Sequence, residues 1–299
     1  MTPTFAHPST FLGVSNPEDA DICIAGICHD IGTTNRPGAR FGPAAIRTAS
    51  RMLISGGHPV HWVDPKQLNI ADVGNFDIVN SDLLHSLDLI QRQAKEFKHL
   101  ISLGGDHSIS LPLLRALAEK HGPVALVHFD AHMDTWPDNF GGIPYAHGNP
   151  FYHAINEKLV EPIRMIQIGI RSSVGRDVYE WTVKQQHVTQ LTAENILSTY
   201  MSPLQLANWI KTIVGNKPTY LTIDVDVLDP SFAPGTGTPE VGGLPTWLIM
   251  ATLRKLTGIN FIGMDVVEVA PPYDVSEMTS LAAATFVWEY LSLLALRKE

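Results

Sequence analysis

Short, almost unbroken runs of apolar and β-branched residues recur along the chain and alternate with longer stretches of helical periodicity. The strand candidates are Asp21–Ile27, Leu68–Val73, Leu100–Leu103, Val124–Phe129, Arg164–Ile170, Thr219–Ile223 and Phe261–Val266. Helical patterns lie near Pro43–Leu53, Ser81–Phe97, Ser110–Lys120, Pro203–Val214 and Thr246–Leu256, and a last helix is expected over about Leu281–Leu296. A strand with one solvated face alternates polar and apolar residues. Several of these runs do not alternate, so both of their faces are expected to be covered, as in a parallel sheet flanked by helices. The β-α-β-α rhythm predicts an α/β fold with a doubly wound, mostly parallel sheet. No internal repeat, low-complexity segment or linker divides the chain. One domain is expected over residues 1–299, with 1–20 as an N-terminal arm.

Three of the runs close in clusters of metal-type side chains: Gly104-Gly105-Asp106-His107, Asp130-Ala131-His132-Met133-Asp134 and Asp224-Val225-Asp226. In an open α/β sheet ligands bind beyond the carboxyl ends of the strands. The Gly- and Pro-rich loops Asn35–Pro43, Gly141–Pro150 and Pro230–Pro245 fall on that same rim. Residues two apart in extended chain share a face, so Asp130, His132 and Asp134 converge, as do Asp224 and Asp226. His107, after a Gly-Gly turn, opens a helix on the same rim. Buried carboxylates without partners are very costly, so this much negative charge implies bound cations. Two imidazoles and four carboxylates make a mainly oxygen shell that suits two Mn²⁺ ions, with Zn²⁺, Ni²⁺ or Co²⁺ as other occupants. Six side chains serving two ions require a bridging carboxylate from Asp134, Asp130 or Asp224. The pattern points to metal-assisted hydrolysis.

Either Asp-rich cluster alone also fits turn or capping chemistry. It is the coincidence of three clusters at three strand ends that favours a metal centre. Asp106 fits a helix N-cap, and Asp229, before Pro230, fits a turn. His128 reads as a satisfied core histidine and Cys28 as a packing residue. The net charge of −9 speaks against a nucleic-acid partner. Cys23 and Cys28 form no disulfide framework, and no basic segment leads into a long apolar stretch near the N-terminus. No run approaches 18 apolar residues, so no membrane span is expected. A cytoplasmic location is the default expectation.

The same residues resemble the ureohydrolase family of arginases and agmatinases. The matching pieces are Gly104–His107, Phe129–Asp134, Thr222–Pro230, Ala233–Pro239, Gly263–Glu268 and the upstream Gly38–Arg47. The resemblance covers roughly residues 20–290 and is greatest to the agmatinase branch. It implies a three-layer α/β/α fold, a trimeric or hexameric assembly, and two Mn²⁺ ions with a bridging hydroxide. The ligands it implies are His107, Asp130, His132, Asp134, Asp224 and Asp226. His147 matches the family's proton-shuttle histidine, Glu268 the carboxylate that holds the guanidinium, and Thr238 a threonine of the substrate pocket. Many agmatinase-like sequences carry Thr or Ser after the His-Gly pair. This chain has Asn149, a larger group with both donor and acceptor, which alters the fine shape of the pocket.

The chemistry this implies is attack on a guanidinium carbon, with Glu268 orienting the flat cation, Asp134 helping to stabilise the tetrahedral intermediate and His147 protonating the departing amine. The loop Thr135–Ala146 offers Trp136, Phe140, Tyr145 and Asp138 but no Lys or Arg, and Ser172 and Ser173 follow Arg171 without an acid. Such a lining suits a cationic tail rather than a carboxylate, with Trp136, Asp138 and Asn149 as expected substrate contacts. The expected reaction is hydrolysis of agmatine to urea and putrescine. The alternatives are another guanidino compound (guanidinobutyrate, guanidinopropionate or a small substituted guanidine), for which Arg36 is the candidate carboxylate partner, or an inactive metal-binding subunit.

Overall fold

The computed structural model describes residues 9–15, 17–137 and 143–297. Its strands are β1 (Ile22–Gly26), β2 (Ile70–Asn75), β3 (Leu100–Leu103), β4 (Val124–Phe129), β5 (Val160–Ile170), β6 (Thr189–Thr192), β7 (Thr219–Asp224) and β8 (Phe261–Val267). They form one eight-stranded sheet in the order β2-β1-β3-β8-β7-β4-β5-β6. Every strand pair is parallel. The unbroken apolar runs have the cause expected of them: β4, β7 and β8 are buried at every residue.

The helices are α1 (Gly42–Ser50), α2 (Leu83–Ala94), α3 (Ser110–His121), α4 (Pro150–Asn156), α5 (Arg176–Tyr179), α6 (Ala193–Ser198), α7 (Pro203–Val214), α8 (Thr246–Leu253) and α9 (Met278–Ala295). One apolar cluster joins the sheet to α1, α6, α7, α8 and α9 through residues such as Ile46, Ile210, Ile249 and Phe286. A second joins the opposite face to α2, α3 and α4 through Ile90, Leu114 and Phe151. The result is the three-layer α/β/α architecture.

Two departures from the pattern expected of the sequence have simple causes. Strand β6 was not anticipated. It is a four-residue edge strand, Thr-Gln-Leu-Thr, with only Leu191 buried, and carries too little apolar signal to be read. Helix α9 starts at Met278, earlier than expected, and is long and apolar enough to span a membrane by composition. It is apolar all round because it is buried nearly all round, packed on α1 and α8. The described part of the N-terminal segment is anchored to the body of the fold. Phe11 and Leu12 are buried, and the Phe11 N–H donates to Asp72 Oδ2 at 2.7 Å.

The carboxyl ends of β3, β8, β7 and β4 are neighbours in the sheet, and the turn after β3 is bonded to the segments that follow β1 and β8. The Asp106 N–H donates to the His29 carbonyl at 2.8 Å, and the Gly105 carbonyl accepts the Glu268 N–H at 2.9 Å. Gly105 has φ +43°, and a Cβ there would lie 2.6 Å from the Ile27 carbonyl oxygen and 2.7 Å from that of His29. Both contacts are backbone, so no side chain can yield. Gly105→Ala is therefore expected to lower stability by more than about 1 kcal/mol in urea unfolding. An unchanged midpoint would show that the turn relaxes freely.

Candidate metal centre and active site

The sheet carries the six expected ligand residues to one rim. His107 enters from the turn after β3, Asp130, His132 and Asp134 from the end of β4, and Asp224 and Asp226 from the end of β7. His107 Nδ1 lies 3.1 Å from Asp130 Oδ2, 2.9 Å from Asp134 Oδ2 and 3.4 Å from Asp224 Oδ2. His132 Nδ1 lies 3.0 Å from Asp226 Oδ2 and 3.3 Å from Asp130 Oδ1. Of the three candidate bridging carboxylates, Asp130 reaches both histidines, one with each oxygen. It is the common member of the two His/Asp groups close enough to hold an ion.

The donor set fits metal ions. His107 Nδ1 is buried without a hydrogen-bond partner although three carboxylates face it. Its other nitrogen, Nε2, lies 2.8 Å from Thr222 Oγ1, and that hydroxyl donates to Asp265 Oδ1. Nε2 therefore carries the proton, and Nδ1 turns its lone pair to the carboxylates, as in carboxylate–histidine–metal arrangements. Burial first, and then the neighbouring Asp226 and Asp130 carboxylates, push Asp224 well above the usual carboxylate range. Burial opposes charge on His107, yet the carboxylate oxygens of Asp130, Asp134 and Asp224 that crowd Nδ1 hold it well above its ordinary value. Both shifts describe a cluster that draws in positive charge, proton or cation.

Two non-glycine residues of the site adopt left-handed backbone, Asp134 at φ 50° and Glu268 at φ 64°. Such conformations cost of order 1–3 kcal/mol each and persist where surrounding contacts over-determine them. Asp134 is held through its carbonyl, which accepts the Phe151 N–H of α4 at 3.1 Å. Glu268 Oε1 accepts the His107 N–H at 2.9 Å and lies 2.9 Å from His147 Nδ1. Its other oxygen, Oε2, is buried with no partner. On the far side of the imidazole, His147 Nε2 accepts the Thr34 N–H at 3.1 Å and lies 2.6 Å from Thr34 Oγ1. Burial works against charge on His147, but the Glu268 carboxylate outweighs it and pushes the pKa up to about 9.

A cleft of about 300 Å³ opens over the cluster, lined by residues including Thr34, Trp136, His147, Ser172, Ser173 and Thr238. Thr238 and Trp136 thus stand where substrate contacts were expected. Asn149 does not. Its amide closes its own loop, accepting the Ala146 N–H at 2.9 Å and donating to the Pro144 carbonyl at 3.3 Å, because a side chain this buried must satisfy its polar atoms locally. Asp138 and Phe140 lie outside the described residues. Asp106 caps the turn before α3, accepting the Ser108 N–H at 3.0 Å. Thr34, Thr222 and Asp265 were missed as site residues. Only Asp265, a charge inside the apolar run of β8, left a signal in the sequence.

The chain belongs to the arginase family, whose model matches residues 20–292. It is accordingly a ureohydrolase, of the metal-dependent amidinohydrolase class. It is 42% identical to the agmatinase of Cronobacter sakazakii over 94% of this chain and 89% of that protein. It is 44% identical to the agmatinase of Photorhabdus laumondii over the same shares. Among solved structures, proclavaminate amidino hydrolase from Streptomyces clavuligerus superposes with a TM-score of 0.93 at 38% identity, covering 98% of this chain and 99% of that one.

The Glu268–His147 pair gives a direct expectation. The carboxylate stabilises the imidazolium, so Glu268→Gln should move the His147 titration down from about 9 toward the ordinary imidazole value of about 6.5. Imidazole NMR shifts of the metal-free protein measure it, and an unmoved titration would break the pair.

Proposed function

We propose that this protein is an agmatinase that uses two Mn²⁺ ions to hydrolyse agmatine to urea and putrescine. His107, Asp130, His132, Asp134, Asp224 and Asp226 are the residues that would hold the ions. Bound there, a pair of divalent cations supplies a nucleophile at neutral pH by acidifying water. The protein's own groups do the rest. Glu268 Oε2, buried and without a partner, accepts the guanidinium N–H groups and sets the plane of the cation. Asp134, on the floor of the cleft, faces the carbon under attack. His147, whose imidazolium the Glu268 carboxylate stabilises, passes a proton to the departing amine. Nε2, which accepts the Thr34 N–H at 3.1 Å, is the nitrogen with a lone pair to take up that proton and hand it on, because Nδ1 is held by Glu268.

The observation that carries agmatine over other guanidino compounds is the chemistry of the cleft wall. Among the described residues, no Lys or Arg lines it. Arg171, the nearest cation in sequence to Ser172, spends its guanidinium on the backbone carbonyls of Gly169, Asp226, Val227, Leu228, Glu240 and Val241. Arg36 lies over the Tyr273 ring, 5.1 Å from its centroid, and takes no part in the lining. A carboxylate tail would lose hydration without gaining a charged partner, whereas an ammonium tail meets Trp136 and hydroxyl groups. The names of the two agmatinase relatives support the same reading. A trimeric or hexameric assembly is part of the proposal on the family resemblance alone, and a cytoplasmic location on the cysteine usage of the chain.

Urea release from agmatine, arginine, guanidinobutyrate and guanidinopropionate by Mn²⁺-loaded protein is the test. Agmatine should lead in kcat/KM by at least about tenfold, the equivalent of about 1.4 kcal/mol of discrimination. A preference for guanidinobutyrate would overturn the substrate assignment and make Arg36→Gln the next variant to assay.

A further inference from the structure

A row of polar side chains crosses the middle of the sheet at one register. Gln167 of β5 pairs with His128 of β4, His128 with Thr222 of β7, Thr222 with Asp265 of β8, and Asp265 with Ser102 of β3. All five are fully buried in a sheet whose other residues are mostly apolar. Buried polar groups are costly unless they are bonded, and this row stands one pleat below the metal-binding rim. His128 precedes Asp130 by two residues and Thr222 precedes Asp224 by two, so each shares a face with its successor. The Thr222–Asp265 end of the row orients His107, as described above.

The other end concerns His128. Its Nε2 lies 2.7 Å from Asp130 Oδ2, and one of its ring nitrogens stands close enough to the ligand atoms of His107, Asp130 and Asp134 to count as a further one. Position alone therefore leaves two roles open, ligand or support. The hydrogen bonds decide between them. Gln167 Nε2 donates to the Met133 carbonyl at 2.6 Å, and a carbonyl only accepts, so the orientation of the amide is set. The same Nε2 lies 3.2 Å from His128 Nδ1. Nδ1 must then offer its lone pair, the proton of the neutral ring sits on Nε2, and Nε2–H donates to Asp130. A nitrogen that carries a proton does not ligate a metal.

Building on the two-ion reading above, we propose that His128, locked in its Nε2–H tautomer by Gln167, is the positioning residue for Asp130, the carboxylate shared by both metal positions. Asp130 Oδ2 is held by His128, while Oδ1 accepts the His132 N–H at 2.6 Å. The carboxylate is gripped at both oxygens and presents its remaining lone pairs to the two ions. Because the shared ligand is the one held, loss of His128 weakens both ions and abolishes neither site. Loss of a direct ligand would remove one ion.

The test is titration of metal-free protein with Mn²⁺ alone, followed by calorimetry and by the electron paramagnetic resonance of free Mn²⁺. Wild type should take up two ions. His128→Leu should still take up two, each about tenfold or more weaker, the scale usual for partners of a metal ligand. His128→Gln, whose amide N–H falls near the position of Nε2, should recover most of that loss. Gln167→Leu touches no candidate ligand. It removes the donor that holds Nδ1 as an acceptor, so the ring is no longer locked with its proton on Nε2, and it should weaken both ions as well. Wild-type affinity in either His128→Leu or Gln167→Leu would overturn the proposal, and Gln167→Leu decides alone if the His128→Leu variant does not fold. Outright loss of one ion in both His128 variants would make His128 a ligand and equally overturn it. A wild-type protein that takes up no Mn²⁺ is a different failure: the two-ion reading falls, and this proposal with it.

Discussion

Four aspartates buried at adjoining strand ends set the terms for everything around them. Two carboxylates about 4 Å apart repel by roughly 4 kcal/mol where the effective dielectric is about 20. Here Asp130, Asp134 and Asp224 each bring an oxygen within 3.4 Å of one imidazole nitrogen. No arrangement of neutral donors offsets such a cluster, so the fold has to bring positive charge to it. The raised titrations of Asp224, Asp226, His107 and His132 are the same demand expressed as affinity for protons. Divalent cations meet it better than protons do, and in the arginase family that charge also serves the chemistry.

The parallel sheet is what makes the cluster affordable. Four adjacent strands, β3, β8, β7 and β4, end at one rim, so side chains more than a hundred residues apart in sequence meet without long loops. Beneath them the register aligns polar residues that orient the ligands from behind. Above them the left-handed Glu268 reaches over the rim, with one oxygen tied to His107 and His147 and the other left for a substrate cation. Positioning, charge and proton transfer thus share a few side chains, each held by its neighbours.

Much of this was legible in the chain. Continuous apolar runs revealed the buried parallel strands, and the spacing of Asp and His at their ends singled out six residues that the fold gathers at one rim. What could not be read depends on partners distant in sequence. The identity of the shared carboxylate and the tautomers set by Gln167 and Asp265 follow from strand order and register, and the hold of Thr34 on His147 from the packing of two loops, none of which local patterns encode. Local pattern makes His128 a satisfied core histidine. It is buried and bonded, but its partner is the centre of the site. The family resemblance puts a pocket residue after the His-Gly pair, at Asn149, whereas its amide is consumed by the loop that carries it.

On the function proposed above, the buried cluster holds two cations that share Asp130. Anomalous diffraction at the manganese edge from crystals of Mn²⁺-loaded protein locates them. Two peaks are expected, one among His107, Asp130, Asp134 and Asp224 and one among Asp130, His132 and Asp226, with His128 in contact with neither. A single peak, or none at full loading, would rule out a shared pair.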